Sequence, residues 1–151
     1  MSKEWQSNLD YDWIPVTFDI RSLTFRLEGG FVQRFTDLKV WQRSHALTLE
    51  IYRFTATFPT DERFGLISQL RRAAVSVPTN IAEGSKRQSN PDYARFLNIA
   101  EGSLAETEYL LLLSRDLGYL KPEACGQPLA QIADVARMLH ALRTKVEQKP
   151  S

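Results

Sequence analysis

A group of glutamates and two histidines are the residues of this sequence that could bind a metal. The glutamates are Glu83, Glu101, Glu106 and Glu108. Di-iron sites in helical bundles combine such carboxylates with a Glu-x-x-His pair, whose spacing turns both ligands toward one centre. Neither His45 nor His140 has a glutamate three residues before it. We therefore expect no metal site and no cofactor, and we expect His45 to be a core or interface residue.

Nucleophilic catalysis has one cysteine available, Cys125, in the loop-like stretch "EACGQP". No histidine lies near it in the sequence, so an inert thiol is expected, although a partner brought close by the fold stays open. The sequence also lacks a Walker loop and a GxGxxG motif. These observations predict that the protein is not an enzyme.

Basic residues form a second pattern, one suited to binding a charged partner. Arg71 and Arg72 are followed about four turns later by Lys86 and Arg87, which could place all of them along one side of a helix. Such a stripe is able to contact phosphates, whereas the alternative is a solvated face without a partner.

Polar and small residues in the same stretch form a third pattern. Ser76, Asn80, Glu83 and Arg87 are spaced by four, three and four, so they share one helical face. We expect Asn80 and Glu83 to be half-buried and paired across helices, the alternative being a ligand or partner site. Gly84, and Gly102 with Ser103, are expected to let two helices approach closely.

Apolar spacing predicts the helices that position these residues. Helix one runs from Thr36 to Pro59 with two apolar stripes, which are Leu38, Trp41, His45, Leu49 and Tyr52, and Val40, Leu47, Ile51, Phe54 and Phe58. Helix two begins near Asp61 or Glu62, has Phe64 as its first core residue, and continues past a bend at Pro78 to Ile81.

Helix three begins at Ser89 or Asn90 with Pro91 in its first turn and ends before Gly118. Helix four follows Pro122 and continues to Val146. Four helices joined by short loops predict an all-α fold, an antiparallel up-down-up-down four-helix bundle over residues 36–148.

Residues 1–35 show no helical period and are expected to form a non-helical N-terminal extension. Val16, Phe18 and Ile20 alternate, as do Leu23, Phe25 and Leu27, so the alternatives are a flexible arm, a docked arm or strand, or upstream sequence read in frame. Deletion of residues 1–33 is expected to leave the bundle folded. The absence of an apolar leader and of a long apolar run predicts a cytoplasmic protein without a membrane segment.

Charge is near balance over the 151 residues, with a net charge of +1, but it is unevenly distributed. Residues 36–90 carry eight Lys/Arg against five Asp/Glu, and residues 91–120 carry two against five. Global charge therefore points to no class of partner, whereas the basic side of the chain keeps nucleic acid open as one.

The run "SVPTNIAEGSKR", with Ser76, Pro78, Asn80, Ile81, Glu83, Gly84 and Arg87, and the later "GSLAE", Gly102 to Glu106, resemble the four helix bundle protein family. That family is also called the 23S ribosomal RNA intervening-sequence protein family, and the accessory variability determinant of diversity-generating retroelements is related to it. The resemblance covers about residues 35 to 145. It implies an antiparallel bundle that associates into ring-like pentamers, with the motif residues acting in the fold or the assembly. It also implies a role near nucleic acid or a nucleic-acid-handling protein.

Surplus apolar surface supports self-association independently of the resemblance. Helix one carries two stripes, and Tyr109 to Leu113 are apolar on every side of a helix. Two functions remain as predictions. One is an oligomeric, non-catalytic protein that contacts RNA or DNA through Arg71, Arg72, Lys86 and Arg87 repeated around a ring, and the other is a homo-oligomeric protein-interaction scaffold.

Overall fold

Four long helices make up the part of the chain that the computed structural model describes, residues 34–148. They are α1 (Lys39–Thr55), α2 (Leu66–Gly84), α3 (Asn90–Asp116) and α4 (Pro122–Glu147), with short 3-10 turns at Phe35–Asp37 and Thr60–Glu62. No strand occurs within residues 34–148. The all-α prediction is confirmed, and the predictions for the N-terminal extension lie outside the described residues.

Side-chain contacts between neighbouring helices show the antiparallel order. Thr48 and Thr55 of α1 contact Ala74 and Arg71 of α2, so the partner's number falls as the residue number rises. The same reversal relates α2 to α3, because Ser76 contacts Ser103 whereas Gly84 contacts Phe96. Helix α4 returns along α3 and also packs on α1, which closes the bundle.

Branched and small apolar side chains fill the core between the four helices. The largest completely buried aliphatic residues include Leu47, Ile51, Leu70, Ile81, Leu97, Leu111 and Leu139. One of the two stripes of α1 faces this core, and the other packs on it at Leu38 and Trp41. The rest of this second stripe lies largely at the surface, where Leu49 and Tyr52 are each 44% exposed and His45 stacks on Trp41 with ring centroids 5.1 Å apart. The expectation of a core histidine was therefore wrong, and its role in an interface stays a prediction.

The loop between α1 and α2 is longer than the sequence pattern predicted. Helix α1 ends at Thr55 instead of continuing to Pro59, and α2 begins at Leu66 instead of Asp61 or Glu62. Glu62 lies in the 3-10 turn, where its carboxylate accepts a hydrogen bond from the backbone N–H of Leu66 at 3.0 Å. The acidic residue thus caps the helix from outside it.

Pro78 lies inside α2 without ending it, as predicted. Because proline has no N–H, the carbonyl of Ala74 lacks its donor within the helix. The hydroxyl of Thr48 on α1 lies 2.9 Å from that carbonyl oxygen and also 2.9 Å from the Ser44 carbonyl oxygen. The single hydroxyl proton of Thr48 is therefore shared between a carbonyl of its own helix and the buried carbonyl that Pro78 frees.

The ends of α3 match the residues predicted for them. The Ser89 hydroxyl accepts a hydrogen bond from the N–H of Asp92 at 3.3 Å, with Pro91 in the first turn. At the other end Gly118 has φ of +80°, and the N–H of Tyr119 bonds the Ser114 carbonyl at 2.9 Å. This is a Schellman motif, which requires the left-handed conformation that glycine adopts without strain.

Candidate functional site

A groove of about 640 Å³ runs along the outer side of α2, next to α1 and the loop that joins them. We call it the α1–α2 groove. Three arginines and two aromatic residues line it together with Ile67, Ser68, Val75, Ser76 and Thr79; they are Arg63, Arg71, Arg72, Tyr52 and Phe64. No aspartate or glutamate is among these lining residues. The groove therefore combines positive charge with aromatic surface.

Neighbouring side chains hold Arg71 in place within this groove. Its Nε donates to the Thr55 hydroxyl oxygen at 2.7 Å, and its guanidinium lies over the Tyr52 ring, 4.6 Å from the centroid. The Thr55 hydroxyl in turn donates to the Ile51 carbonyl at 2.8 Å, so its oxygen is oriented to accept from Arg71. Both of these partners are neutral, and no carboxylate of the described residues pairs with the Arg71 charge.

Arg63 and Arg72 add two more exposed guanidinium groups at the groove. Arg63 lies 5.6 Å from the centroid of the Phe64 ring, and Phe64 is 88% exposed. Within residues 34–148, neither arginine forms an ion pair with a carboxylate. These two arginines therefore present their positive charge to solvent beside an open aromatic ring.

Arginines in the two halves of the bundle have different partners. We call residues 34–84 the α1–α2 half and residues 85–148 the α3–α4 half. Within the described chain, every arginine of the α3–α4 half is ion-paired; the pairs are Arg87–Asp92, Arg95–Asp92, Arg115–Asp116, Arg137–Asp134 and Arg143 with Glu101 and Glu147. No arginine of the α1–α2 half is paired with a described carboxylate. Within residues 34–148, the arginines that lack an ion pair therefore all lie in the α1–α2 half.

The four basic residues selected from the sequence are not brought together. Arg71 and Arg72 lie in the groove, but α2 ends at Gly84, so Lys86 and Arg87 belong to the turn that follows it. Arg87 packs 4.3 Å from the Phe96 centroid and 3.9 Å from the Asp92 carboxylate. The expected single stripe along helix two is therefore divided, and Arg87 shares the Asp92 carboxylate with Arg95.

Ser76, Asn80 and Ser103 form a polar cluster where α2 meets α3. The hydroxyl oxygens of Ser76 and Ser103 lie 2.8 Å apart, and the Asn80 amide donates to the Ser76 carbonyl at 2.8 Å and to its hydroxyl at 3.0 Å. Asn80 is half-buried as expected, but it bonds within its own helix. The Glu83 side chain is exposed and forms no hydrogen bond or ion pair among the described residues. Its expected pairing across helices was wrong because it lies outside the contact between them.

The two motif glycines have different surroundings. A methyl group on Gly84 would lie 2.9 Å from both Cβ of Phe96 and the Tyr93 ring, so close packing there requires glycine, as predicted. A methyl group on Gly102 would meet nothing within 4 Å. The expectation that Gly102 brings helices two and three together was therefore wrong. Gly102 instead lies on the exposed surface of α3 with Glu106 one turn later.

The structure also places the residues that were considered for metal and thiol chemistry. Residues 34–148 contain no group of three or more His, Cys, Asp or Glu side chains arranged to hold an ion. Glu101 pairs with Arg143 at 3.1 Å. Cys125 lies inside α4 instead of a loop, and burial raises the pKa of its thiol. A raised pKa lowers the fraction of reactive thiolate. None of the described helices has the length and apolar character needed to cross a membrane.

Three residues of the groove, Arg63, Tyr52 and Phe64, were not predicted as site residues. The two aromatic residues had been assigned to helix stripes because of their apolar spacing. Phe64 precedes the first residue of α2 and is separated from it by Gly65, which removes it from the helical period. The Phe64-Gly65 pair directly after Arg63 was the signal in the sequence. A large aromatic residue beside a helix-breaking glycine indicates a loop position as readily as a core position.

Comparisons with known proteins agree on the fold and the family. A family model described as 23S rRNA-intervening sequence protein matches residues 36–141. A crystal structure of a protein of unknown function from the S23 ribosomal protein family of Bacteroides thetaiotaomicron is similar, with 24% identity and a TM-score of 0.65. That match covers 70% of this chain and 95% of the other. No curated protein matches the sequence. Because the family model covers most of the bundle, the chain belongs to the 23S rRNA-intervening sequence protein family.

Proposed function

We propose that this chain is a non-catalytic protein that binds nucleic acid through the α1–α2 groove. The observation that carries the proposal is the grouping of Arg63, Arg71 and Arg72 in one groove without a described carboxylate partner. An arginine that is not neutralised by the protein is free to pair with a phosphate and to release the counterions condensed on it. Planar guanidinium groups also match the geometry of phosphate oxygens.

Repetition in an oligomer would strengthen this contact. One protomer offers few phosphate contacts, and each contributes little at physiological salt. The family resemblance implies a ring of protomers, which would present the same groove several times to one nucleic-acid strand. Binding at several linked grooves raises the overall affinity without any new type of contact. A homo-oligomer, with five protomers as the expected number, is therefore part of the proposal.

The test of the groove is a titration of the protein with structured RNA and with duplex DNA at ~50 to 200 mM salt. We expect affinity that falls steeply with salt, and a weaker affinity with a shallower salt dependence for Arg71→Ala combined with Arg72→Ala. Each phosphate contact that is lost lowers the slope of log K against log salt by about 0.7 to 0.9. Fluorescence anisotropy of labelled probes gives both quantities.

A charge-matched control removes two arginines of the α3–α4 half, Arg95→Ala combined with Arg137→Ala. The net charge changes by the same amount, but both arginines are paired with aspartates one turn away on their own helix. We expect this variant to bind with nearly the wild-type slope. Equal losses in the two double variants would mean that net charge, and not the groove, determines binding, and absence of binding at low salt would refute the proposal.

A second candidate function, a homo-oligomeric scaffold without nucleic-acid binding, is favoured by the surface of α3. Ile99, Gly102, Glu106 and Tyr109 follow one another at helical spacing, and Ile99 and Tyr109 are 41% and 62% exposed. Glycine inside a helix costs about 1 kcal/mol relative to alanine. Within the described chain nothing approaches Gly102 closely enough to require it. A neighbouring protomer packed against α3 would account for both the glycine and the exposed apolar residues.

The variant Gly102→Ala tests whether a second protomer packs against α3, as the scaffold hypothesis requires. If α3 faces solvent, alanine should raise stability by up to about 1 kcal/mol, and the mass in light scattering should not change. If a second protomer packs closely on Gly102, the added methyl group should lower the mass at tens of micromolar protein. Gly84→Ala is the contrasting variant, because it should destabilise the protomer itself. A monomeric wild-type protein at these concentrations would refute the oligomer.

A further inference from the structure

The aromatic side chains of the α1–α2 groove are not explained by phosphate binding alone. Phe64 is 88% exposed, the most exposed of the large apolar side chains in the described chain, and Tyr52 is 44% exposed. Exposed phenylalanine contributes nothing to the core and leaves apolar surface in water. Two exposed rings in the same groove as three arginines indicate a ligand that has both charge and a flat apolar face.

The two rings differ in how much of their faces is free. The Arg71 guanidinium lies over the Tyr52 ring, 4.6 Å from its centroid, so one face of Tyr52 is already covered. Arg63 lies farther from Phe64, at 5.6 Å, and most of the Phe64 ring meets solvent. Phe64 is therefore the ring on which a flat ligand is able to stack, on the face opposite to Arg63.

We propose that the ligand of the α1–α2 groove is single-stranded nucleic acid, with an unpaired base stacked on Phe64 and neighbouring phosphates paired with Arg63 and Arg72. This inference rests on the proposed function and specifies its ligand. Grooves that hold single strands combine positive charge along the backbone with aromatic rings under the bases. In the described structure, the α1–α2 groove supplies both.

Duplex nucleic acid fits this groove less well. Its bases are stacked on one another, so a protein ring meets a base face only after a base step is opened, which costs free energy. The Phe64 ring would then remain in water while only the arginines made contact. A single strand presents unstacked bases without that cost, so stacking on the ring adds to its affinity.

The experiment compares three labelled probes with the full-length protein at low salt. They are an oligothymidylate of about 16 nucleotides, a strand of the same length with abasic sites throughout, and a duplex of the same length. The abasic strand keeps the phosphates and removes the bases. We expect the oligothymidylate to bind more tightly than the other two probes.

Variants of Phe64 identify the stacking contact. Phe64→Ala should weaken binding of the oligothymidylate about 5- to 100-fold and leave binding of the abasic strand unchanged. Phe64→Trp should restore it, because tryptophan also offers a flat ring. Leu117→Ala is the control, since Leu117 is an exposed apolar residue at the end of α3, outside the groove. Phe64 has little buried surface, so urea unfolding should show each Phe64 variant as stable as the wild type.

Equal affinity for the three probes, with no effect of Phe64→Ala, would overturn this inference and leave the proposed function standing. Failure of every probe to bind at low salt would overturn both. A lower oligomer mass for Phe64→Ala without any nucleic acid present would also overturn the inference, because a second copy of the chain would then occupy the groove. Light scattering on the same samples separates this last result from the others.

Discussion

The side chains that form hydrogen bonds between helices have different acceptors in the two halves of the bundle. Across α1 and α2, Arg71 bonds the hydroxyl of Thr55, and Thr48 bonds a backbone carbonyl. Across α3 and α4, Arg143 bonds the carboxylate of Glu101. Hydrogen bonds to neutral acceptors therefore join α1 to α2, whereas an ion pair joins α3 to α4. Only the first arrangement leaves the arginine charge available to a partner.

The two kinds of arginine differ in whether they must give up a carboxylate partner in order to bind a phosphate. An arginine that already faces a carboxylate would have to lose that partner, or share it, to contact a phosphate. Arg63, Arg71 and Arg72 have no such partner in the described chain, so their full charge contributes to attraction of a polyanion. Counting basic residues in the sequence does not reveal this difference, because Arg71 and Arg87 look equivalent there.

Thr48→Val should produce the largest loss of stability, because it removes the hydroxyl between α1 and α2. Valine has a similar shape, but it leaves the Ala74 carbonyl that Pro78 frees without its donor in a buried position. An unsatisfied buried acceptor costs about 1–3 kcal/mol. Urea unfolding followed by circular dichroism measures the difference.

The same substitution in a Pro78→Ala background tests the reason for that loss. Alanine restores an N–H four residues after Ala74, so the helix is able to satisfy its own carbonyl. We expect Thr48→Val to cost clearly less in this background than in the wild type. Equal costs in the two backgrounds would show that Thr48 acts through packing and not through the freed carbonyl.

Arginine substitutions should affect stability in one half and not in the other. Arg143→Ala removes the ion pairs with Glu101 and Glu147, and should lower the melting temperature measurably but less than Thr48→Val does. Arg72→Ala has no described partner to lose, so its effect on unfolding should stay within about 0.5 kcal/mol. Calorimetry of both variants checks the contrast, which fails if Arg72→Ala destabilises as much as Arg143→Ala.

Local sequence signals were sufficient for most of the fold. Ser89 with Pro91, Gly118 and Pro122 each satisfy a backbone requirement at a helix end, so their positions were predictable from residue type. The start of α2 was not, because Glu62 caps it from a 3-10 turn four residues earlier. The sequence pattern is the same whether an acidic residue lies inside the first turn of a helix or just before that turn.

The candidate site was predictable only in part. Arg71 and Arg72 were selected correctly as neighbours, but their separation from Arg87 depends on where α2 ends and on the Asp92 that the next helix supplies. The roles of Arg63 and Phe64 depend on a loop conformation, which a helical period does not encode. Uncompensated charge is a property of the packed structure, since it depends on which carboxylates the other helices bring near.

Mapping where RNA touches the protein is the most direct test of the central claim, that the unpaired arginines of the α1–α2 half form the binding surface. The protein is crosslinked to RNA by ultraviolet light at low salt, digested, and analysed by mass spectrometry. Adducts on peptides that contain Tyr52, Phe64 or Arg72 are the predicted result. Adducts confined to peptides of α3 and α4, where the described arginines are ion-paired, would contradict it.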